Sequence, residues 1–168
     1  MIIRRPTRHD AAPLWRLIER VGELERNSCY AYLLLCTDFK DTCLVAERGG
    51  ELVGFVLAYR PPVRQNEVFV WQIGVAPEAR GIGLGARLLD ELAAAPACVN
   101  VQYVTATVSP DNEASRNLFR SLARRRAVQF EVGPGFPSGL FAANHEPEDF
   151  VRIGPLGSHN TLVKEETP

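Results

Sequence analysis

The stretch VWQIGVAPEARGIGLGARLLDEL, residues 70–92, passes from an extended apolar pattern into a helical one through a turn holding Gly81, Gly83 and Gly85. Before the turn, Phe69, Trp71, Ile73 and Val75 fall on one face of a strand, while Val70 and Gln72 fall on the other. After it, Leu84, Leu88, Leu89 and Leu92 recur at helical spacing until Pro96 ends the run. A strand feeding a helix in this way belongs in a sheet with the helix packed back on it. The missing side chains let a ligand approach the backbone at the helix N-terminus.

The flanking segments supply the rest of a sheet. MIIRRP offers a short strand, and Asp10 is placed to cap a helix whose Leu14, Leu17, Ile18 and Val21 share a face. Asn27 or Ser28 then opens a second, apolar helix. TCLVAERGGELVGFVLAYR reads as a hairpin turning at Gly49-Gly50 and closed by Pro61-Pro62. VQYVTATVS is a further strand, and Asn112 begins a helix with Leu118 and Leu122 that ends in Arg124, Arg125 and Arg126, cations suited to a helix C-terminus. AVQFEV and EDFVRI complete the strands. The order predicts one α/β domain over residues 1–155, a mixed and mostly antiparallel sheet flanked by helices. Residues 156–168 are polar and aperiodic and read as a flexible tail.

Composition removes several classes of function. Nineteen Lys and Arg against 20 Asp and Glu leave no global field to recruit nucleic acid or an anionic membrane. No apolar run approaches the roughly 20 residues that span a bilayer. Cys29, Cys36, Cys43 and Cys98 form no C-x-x-C pair, and no signal segment precedes them, so reduced thiols in a cytoplasmic protein are expected, without a metal site.

Nucleotide loops fit the glycines poorly. Gly85 is followed by Ala86-Arg87, which removes the Lys and hydroxyl of a Walker loop. A dinucleotide fold would need an earlier strand and an acidic residue about 20 positions on. Two readings remain: a metal-free anion site at a helix start, suited to a pyrophosphate such as that of coenzyme A, or glycines that merely shape a strand-to-helix turn.

VAPEARGIGLGA, led by a strand and followed after another strand by NEASRNLF, resembles the GNAT acyltransferase superfamily, with Arg80-x-x-Gly83-x-Gly85 matching its acetyl-CoA signature. The resemblance implies a GNAT-type fold. It also implies cofactor contacts at Ile73, Val75, Arg80, Gly81, Gly83, Gly85, Ala86, Asn112 and Ser115. Phe119 stands where many members have a tyrosine that protonates the departing thiolate.

A narrower resemblance, carried by LERNSCYAYLLLC, FVWQIGV, GFPSGLF and HEPEDFVRIGP, is to the L-2,4-diaminobutyrate acetyltransferases of ectoine synthesis. It implies a cytoplasmic homodimer that transfers acetyl from acetyl-CoA to the 4-amino group of diaminobutyrate. Implied substrate contacts are Glu25, Asn27, Tyr30, Trp71, His145 and Glu148, with His145 and Glu148 also as catalytic candidates; relatives commonly have Asp in place of Glu25. LERNSCY and NHEPED are expected to close a small polar pocket. The superfamily motifs alone leave open acetylation of another small amine, or an acyl-CoA sensor without turnover.

That reaction needs a proton acceptor. An alkyl ammonium of pKa near 10.4 is neutral in only about one molecule in 2,500 at pH 7, a penalty of roughly 4.6 kcal/mol. Carboxylates bind the ammonium but also hold it charged. Imidazole titrates near neutrality, which favours His145 as acceptor, with water-linked Glu148 as the other choice.

Overall fold

The computed structural model describes residues 1–22, 24–142 and 145–157. Its strands are β1 (Ile2–Arg4), β2 (Leu44–Arg48), β3 (Glu51–Tyr59), β4 (Glu67–Val75), β5 (Tyr103–Val108), β6 (Gln129–Phe136) and β7 (Glu148–Gly154). They form one sheet in the order β1-β2-β3-β4-β5-β7-β6, in which only the β4–β5 pair is parallel. Four helices join them: α1 (Ala11–Val21), α2 (Cys29–Thr37), α3 (Leu84–Ala93) and α4 (Glu113–Arg126). This is the α/β architecture expected, mixed and mostly antiparallel.

The helical periodicities locate the core. Leu14, Leu17, Ile18 and Val21 of α1 are buried, as are Leu84, Leu88, Leu89 and Leu92 of α3. On β3 a Cβ at Gly54 would come within 2.9 Å of Leu84, so α3 seats directly on backbone there. Phe55, next along the strand, projects to the opposite face. Its ring fills the space that a side chain at Gly74 would need.

Local signals explain most boundaries. Gly49 and Gly50 adopt φ of +62° and +85°, the left-handed pair of a two-residue hairpin between Arg48 and Glu51. Ser28, one of the two candidates, caps α2 by accepting the Ala31 N–H at 3.2 Å. Asp10 acts differently from the expectation. Its carboxylate turns back to accept the Thr7 N–H at 2.6 Å and pairs with Arg4 at 2.8 Å, tying the start of α1 to β1. Part of the stretch expected as tail is packed on the domain. Leu156 is buried and its N–H donates to the Gln102 carbonyl at 2.7 Å, while residues 158–168 lie outside the described residues.

Candidate active site

β4 and β5 share a parallel ladder only over Glu67–Val70 and Tyr103–Ala106. On the other side of β4, Ala58 pairs with Val70 and Leu57 with Gln72, which leaves Trp71 as the extra residue of a bulge. A bulge bends the strand and re-aims its side chain. It also breaks the simple alternation expected for residues 69–75, since Val70 and Gln72 sit opposite the adjacent residues Ala58 and Leu57 of β3 and so no longer share a face. Beyond it, residues 72–75 keep β3 on one edge and lose β5 on the other.

A cavity of about 1080 Å³ opens in this gap, larger than the small pocket expected. A groove of about 130 Å³ adjoins it and shares Leu24, Ile73, Asn112 and Ser115 with its wall. The volume fits one space that receives two reactants rather than a pocket for one small amine.

The groove reaches the glycine turn through Val75, Arg80 and Gly85. Gly81 and Gly83 hold φ of +78° and +76°, and a Cβ on either would meet nothing within 4 Å. The positive φ selects glycine here, and the open space leaves the backbone accessible. Gly83 is the N-cap of α3, so the amides of residues 84–86 lack helical partners and suit an anion. Gly85 is different: it lies within α3, and its absent side chain leaves room beside Leu118 and Val75 in the groove wall. Arg80 donates to the carbonyls of Val75 and Val21, fastening the turn to β4 and α1. Asn112 lines both spaces while its side-chain Oδ1 caps α4 by accepting the Ser115 N–H. Ala86, in α3, accepts a hydrogen bond from Arg125 through its carbonyl.

At the far side of the gap the wall brings together Glu25, Asn27, Trp71, His145 and Glu148, drawn from segments separated by up to 123 positions in sequence. Its carboxylates are Glu25, Asp111, Glu146 and Glu148; its basic side chains are Arg64 and His145. Arg64 is already paired with Glu67 at 2.7 Å, so the wall favours a cation. Burial pushes the Glu148 carboxyl above its ordinary range, while His145 and the Thr107 hydroxyl pull the other way. The His145 ring stacks on Phe141 at 3.9 Å between centroids, and its Nδ1 lies 2.6 Å from the Glu146 carbonyl. A carbonyl only accepts, so Nδ1 carries hydrogen, which makes Nε2 the ring nitrogen able to accept a proton. Asn144 of the same segment lies outside the described residues.

Tyr30 is not among the cavity's lining residues. It is 67% exposed, whereas Tyr32 is fully buried, stacked on Trp71 at 6.3 Å and bonded through its hydroxyl to Gln72. Two residues along a helix turn the side chain by about 200°, so burying Tyr32 sends Tyr30 outward. α2 is apolar all round, and its sequence offers no periodicity by which to choose between them. Phe119 belongs at once to the core and to the cavity wall. No cysteine lines the cavity, and burial pushes Cys36 and Cys43 up to about 12 and Cys98 to about 11. Among the described residues there is no cluster of His, Cys, Asp and Glu able to hold a metal ion, and no helix long and apolar enough to cross a membrane.

The acetyltransferase (GNAT) family model matches residues 9–123. The L-2,4-diaminobutyric acid acetyltransferase of Shouchella clausii is 45% identical over 159 residues, covering 94% of this chain and 89% of that protein. Its counterpart in Halalkalibacterium halodurans is 47% identical over 155 residues, covering 92% and 82%. Among solved structures, the diaminobutyrate acetyltransferase EctA from Paenibacillus lautus, in complex with L-2,4-diaminobutyric acid and coenzyme A, superposes with a TM-score of 0.90 at 39% identity, covering 93% of this chain and 95% of that one. Ard1 from Thermoplasma volcanium shares the fold, with a TM-score of 0.77 at 18% identity, 93% of this chain and 98% of that one being covered.

Proposed function

The chain belongs to the GNAT acetyltransferase family and, within it, to the L-2,4-diaminobutyric acid acetyltransferases, and from that premise we propose that it moves the acetyl group of acetyl-CoA to the 4-amino group of L-2,4-diaminobutyrate, the acetylation step of ectoine synthesis. The observation that supports this most is the meeting, in one cavity, of a groove from the glycine turn with a half-buried carboxylate of raised proton affinity, Glu148.

In this reading the α3 amides and the turn at residues 80–86 receive the pyrophosphate, and the open edge of β4 at Ile73 and Val75 receives the pantetheine arm. Ser115 and Asn112 flank that arm. Glu25 and Glu148 draw in the ammonium groups of the diamino acid, and Asn27 and Trp71 orient it. The tension between binding an ammonium and deprotonating it is eased at Glu148. Burial raises the carboxylate's own affinity for a proton, so the transfer from nitrogen is less uphill. His145, with Nε2 as acceptor, lies in the same wall as a relay toward solvent.

The nitrogen lone pair then attacks the thioester carbon, and backbone N–H groups on the open edge of β4 stabilise the oxyanion. The nitrogen gives up its second proton to water, the C–S bond breaks, the thiolate takes a proton from solvent, and the amide remains. In this reading transfer runs directly from thioester to amine, and no cysteine lines the wall. Tyr30 is left out of the proposed contacts of a single chain. A homodimer belongs to the same reading, supported by the apolar surface that Tyr30, Leu33, Phe136 and Leu140 leave exposed; sedimentation of a dimer-sized particle checks it.

Mass spectrometry of products from acetyl-CoA with diaminopropionate, diaminobutyrate and ornithine tests the activity. One methylene discriminates by about 10- to 200-fold, so acetylation at nitrogen 4 of diaminobutyrate should dominate. Equal kcat/KM on all three would point to a general amine acetyltransferase. Binding without thiol release would point to a sensor.

A further inference from the structure

We infer that Tyr32 and Gln72 are positioning residues that set the place of Glu25, Asn27 and Trp71 in the acceptor half of the cavity. The Asn27 N–H donates to the Tyr32 hydroxyl at 3.0 Å, and that hydroxyl donates to Gln72 Oε1 at 3.3 Å. Gln72 Nε2 in turn donates to the Glu25 carbonyl at 2.7 Å. The circuit closes on the short segment from Glu25 to Asn27, holding it at both ends by backbone groups. Trp15 adds a third tie, donating from Nε1 to the Asn27 carbonyl at 3.2 Å.

With the backbone held in this way, the side chains of Glu25 and Asn27 line the cavity. The same pair acts on Trp71. Gln72 is the first residue after the bulge to regain a partner on β3, and the Tyr32 ring stacks on the indole with planes 30° apart. Tyr32 is fully buried and absent from the cavity wall, so its hydroxyl acts through other residues. Gln72 reaches the wall, but its amide oxygen and nitrogen are both engaged. In so dry a setting each bond in the chain polarises the next, and breaking one leaves another polar group unsatisfied.

Tyr32→Phe keeps the ring and removes the hydroxyl; Gln72→Met keeps the volume and removes both amide functions. Hydrogen exchange read by mass spectrometry on residues 24–29, against β5 as internal reference, should accelerate by at least about tenfold in each variant while β5 is unchanged. The kinetic arm rests on the acetyltransferase reading. There the KM for diaminobutyrate should rise about tenfold with the KM for acetyl-CoA within about twofold, and the double variant should be no worse than the worse single one. Parent-like exchange in the folded variants overturns the inference. So does accelerated exchange with an unchanged diaminobutyrate KM, or a rise of both KM values together. If the parent protein leaves diaminobutyrate unacetylated, the functional reading fails and the exchange comparison alone decides this one.

Discussion

Gly135 and Glu148 meet backbone to backbone: a Cβ on Gly135 would lie 2.1 Å from the Glu148 carbonyl oxygen and 2.8 Å from the Phe150 nitrogen. The contact sits where the β6–β7 ladder shifts register between Gly133 and Phe136. Pairing resumes with Phe136 opposite Glu148, so the irregularity fixes the residue from which the carboxylate projects. Backbone, unlike a side-chain end, has little room to yield.

Gly135→Ala should therefore move the start of β7. The expected outcome is a loss of roughly 1–3 kcal/mol of stability by thermal unfolding, typical of overpacking. With it, kcat should fall about tenfold or more while the KM for acetyl-CoA stays near its parent value, because the glycine turn lies on a different part of the sheet. Parent-like kcat in a folded protein would mean that Glu148 tolerates displacement and takes no part in proton transfer.

Glu148→Gln removes the charge and keeps the shape. As a lost proton acceptor it should lower kcat by about 10²–10⁴. Stability should respond in the opposite sense. The folded pKa is raised above the unfolded value, so the contribution of Glu148 to stability is complete below the unfolded pKa of 4.5 and is lost as pH rises through the folded one. The melting temperature of Glu148→Gln relative to the parent should thus increase between pH 4 and pH 7. The parent's kcat/KM should fall on the acid side at a pH above the ordinary carboxylate range. An increment in melting temperature that is constant across that window would contradict the burial argument.

Gly85→Ala separates the cofactor groove from the fold. At this position in α3 a Cβ would meet Leu118 at 3.5 Å and Val75 at 3.8 Å, which is ordinary contact. Alanine in place of glycine in a helix is favourable by about 0.5–1 kcal/mol, so the melting temperature should hold or rise slightly. The methyl group nevertheless enters the wall of the groove, and the KM for acetyl-CoA should rise about tenfold, close to 1.4 kcal/mol. A more stable protein with unchanged acetyl-CoA KM would place the cofactor elsewhere.

The helices, the hairpin and the glycine turn were legible because each is written in neighbouring residues. The leucines at 84, 88, 89 and 92 share a face, and Gly49-Gly50 states its own turn. The bulge at Trp71 was not legible, since it is a property of the pairing between β3 and β4 and leaves no mark in the apolar alternation. Asp10 likewise depends on Arg4 and Glu47, a network spanning β1 and β2. The meeting of Glu25, Trp71, His145 and Glu148 in one wall follows no period at all; family likeness alone proposed it. Tyr32 and Gln72 lie 40 positions apart, and neither looks unusual until the chain has folded.

Phe119 tests how the thiolate leaves. It is 2% exposed, packed in the core of α4 and β-sheet, and its side chain also forms part of the cavity wall. Many relatives in the wider superfamily have a tyrosine here, and Phe has no proton to give. A thiol of pKa near 8.5 makes the thiolate a far better leaving group than an alkoxide, so protonation during departure is a convenience rather than a requirement. Phe119→Tyr adds one hydroxyl at a ring that already borders the cavity. Directed into the cavity, the hydroxyl would escape the usual cost of an unsatisfied buried hydroxyl, about 1–3 kcal/mol. The melting temperature should accordingly stay close to the parent value, and kcat should rise by less than about tenfold, the scale of a modest gain in acid catalysis. A hundredfold rise with unchanged stability and KM would show that departure of the thiolate limits the parent enzyme and that solvent is an inadequate proton source for it.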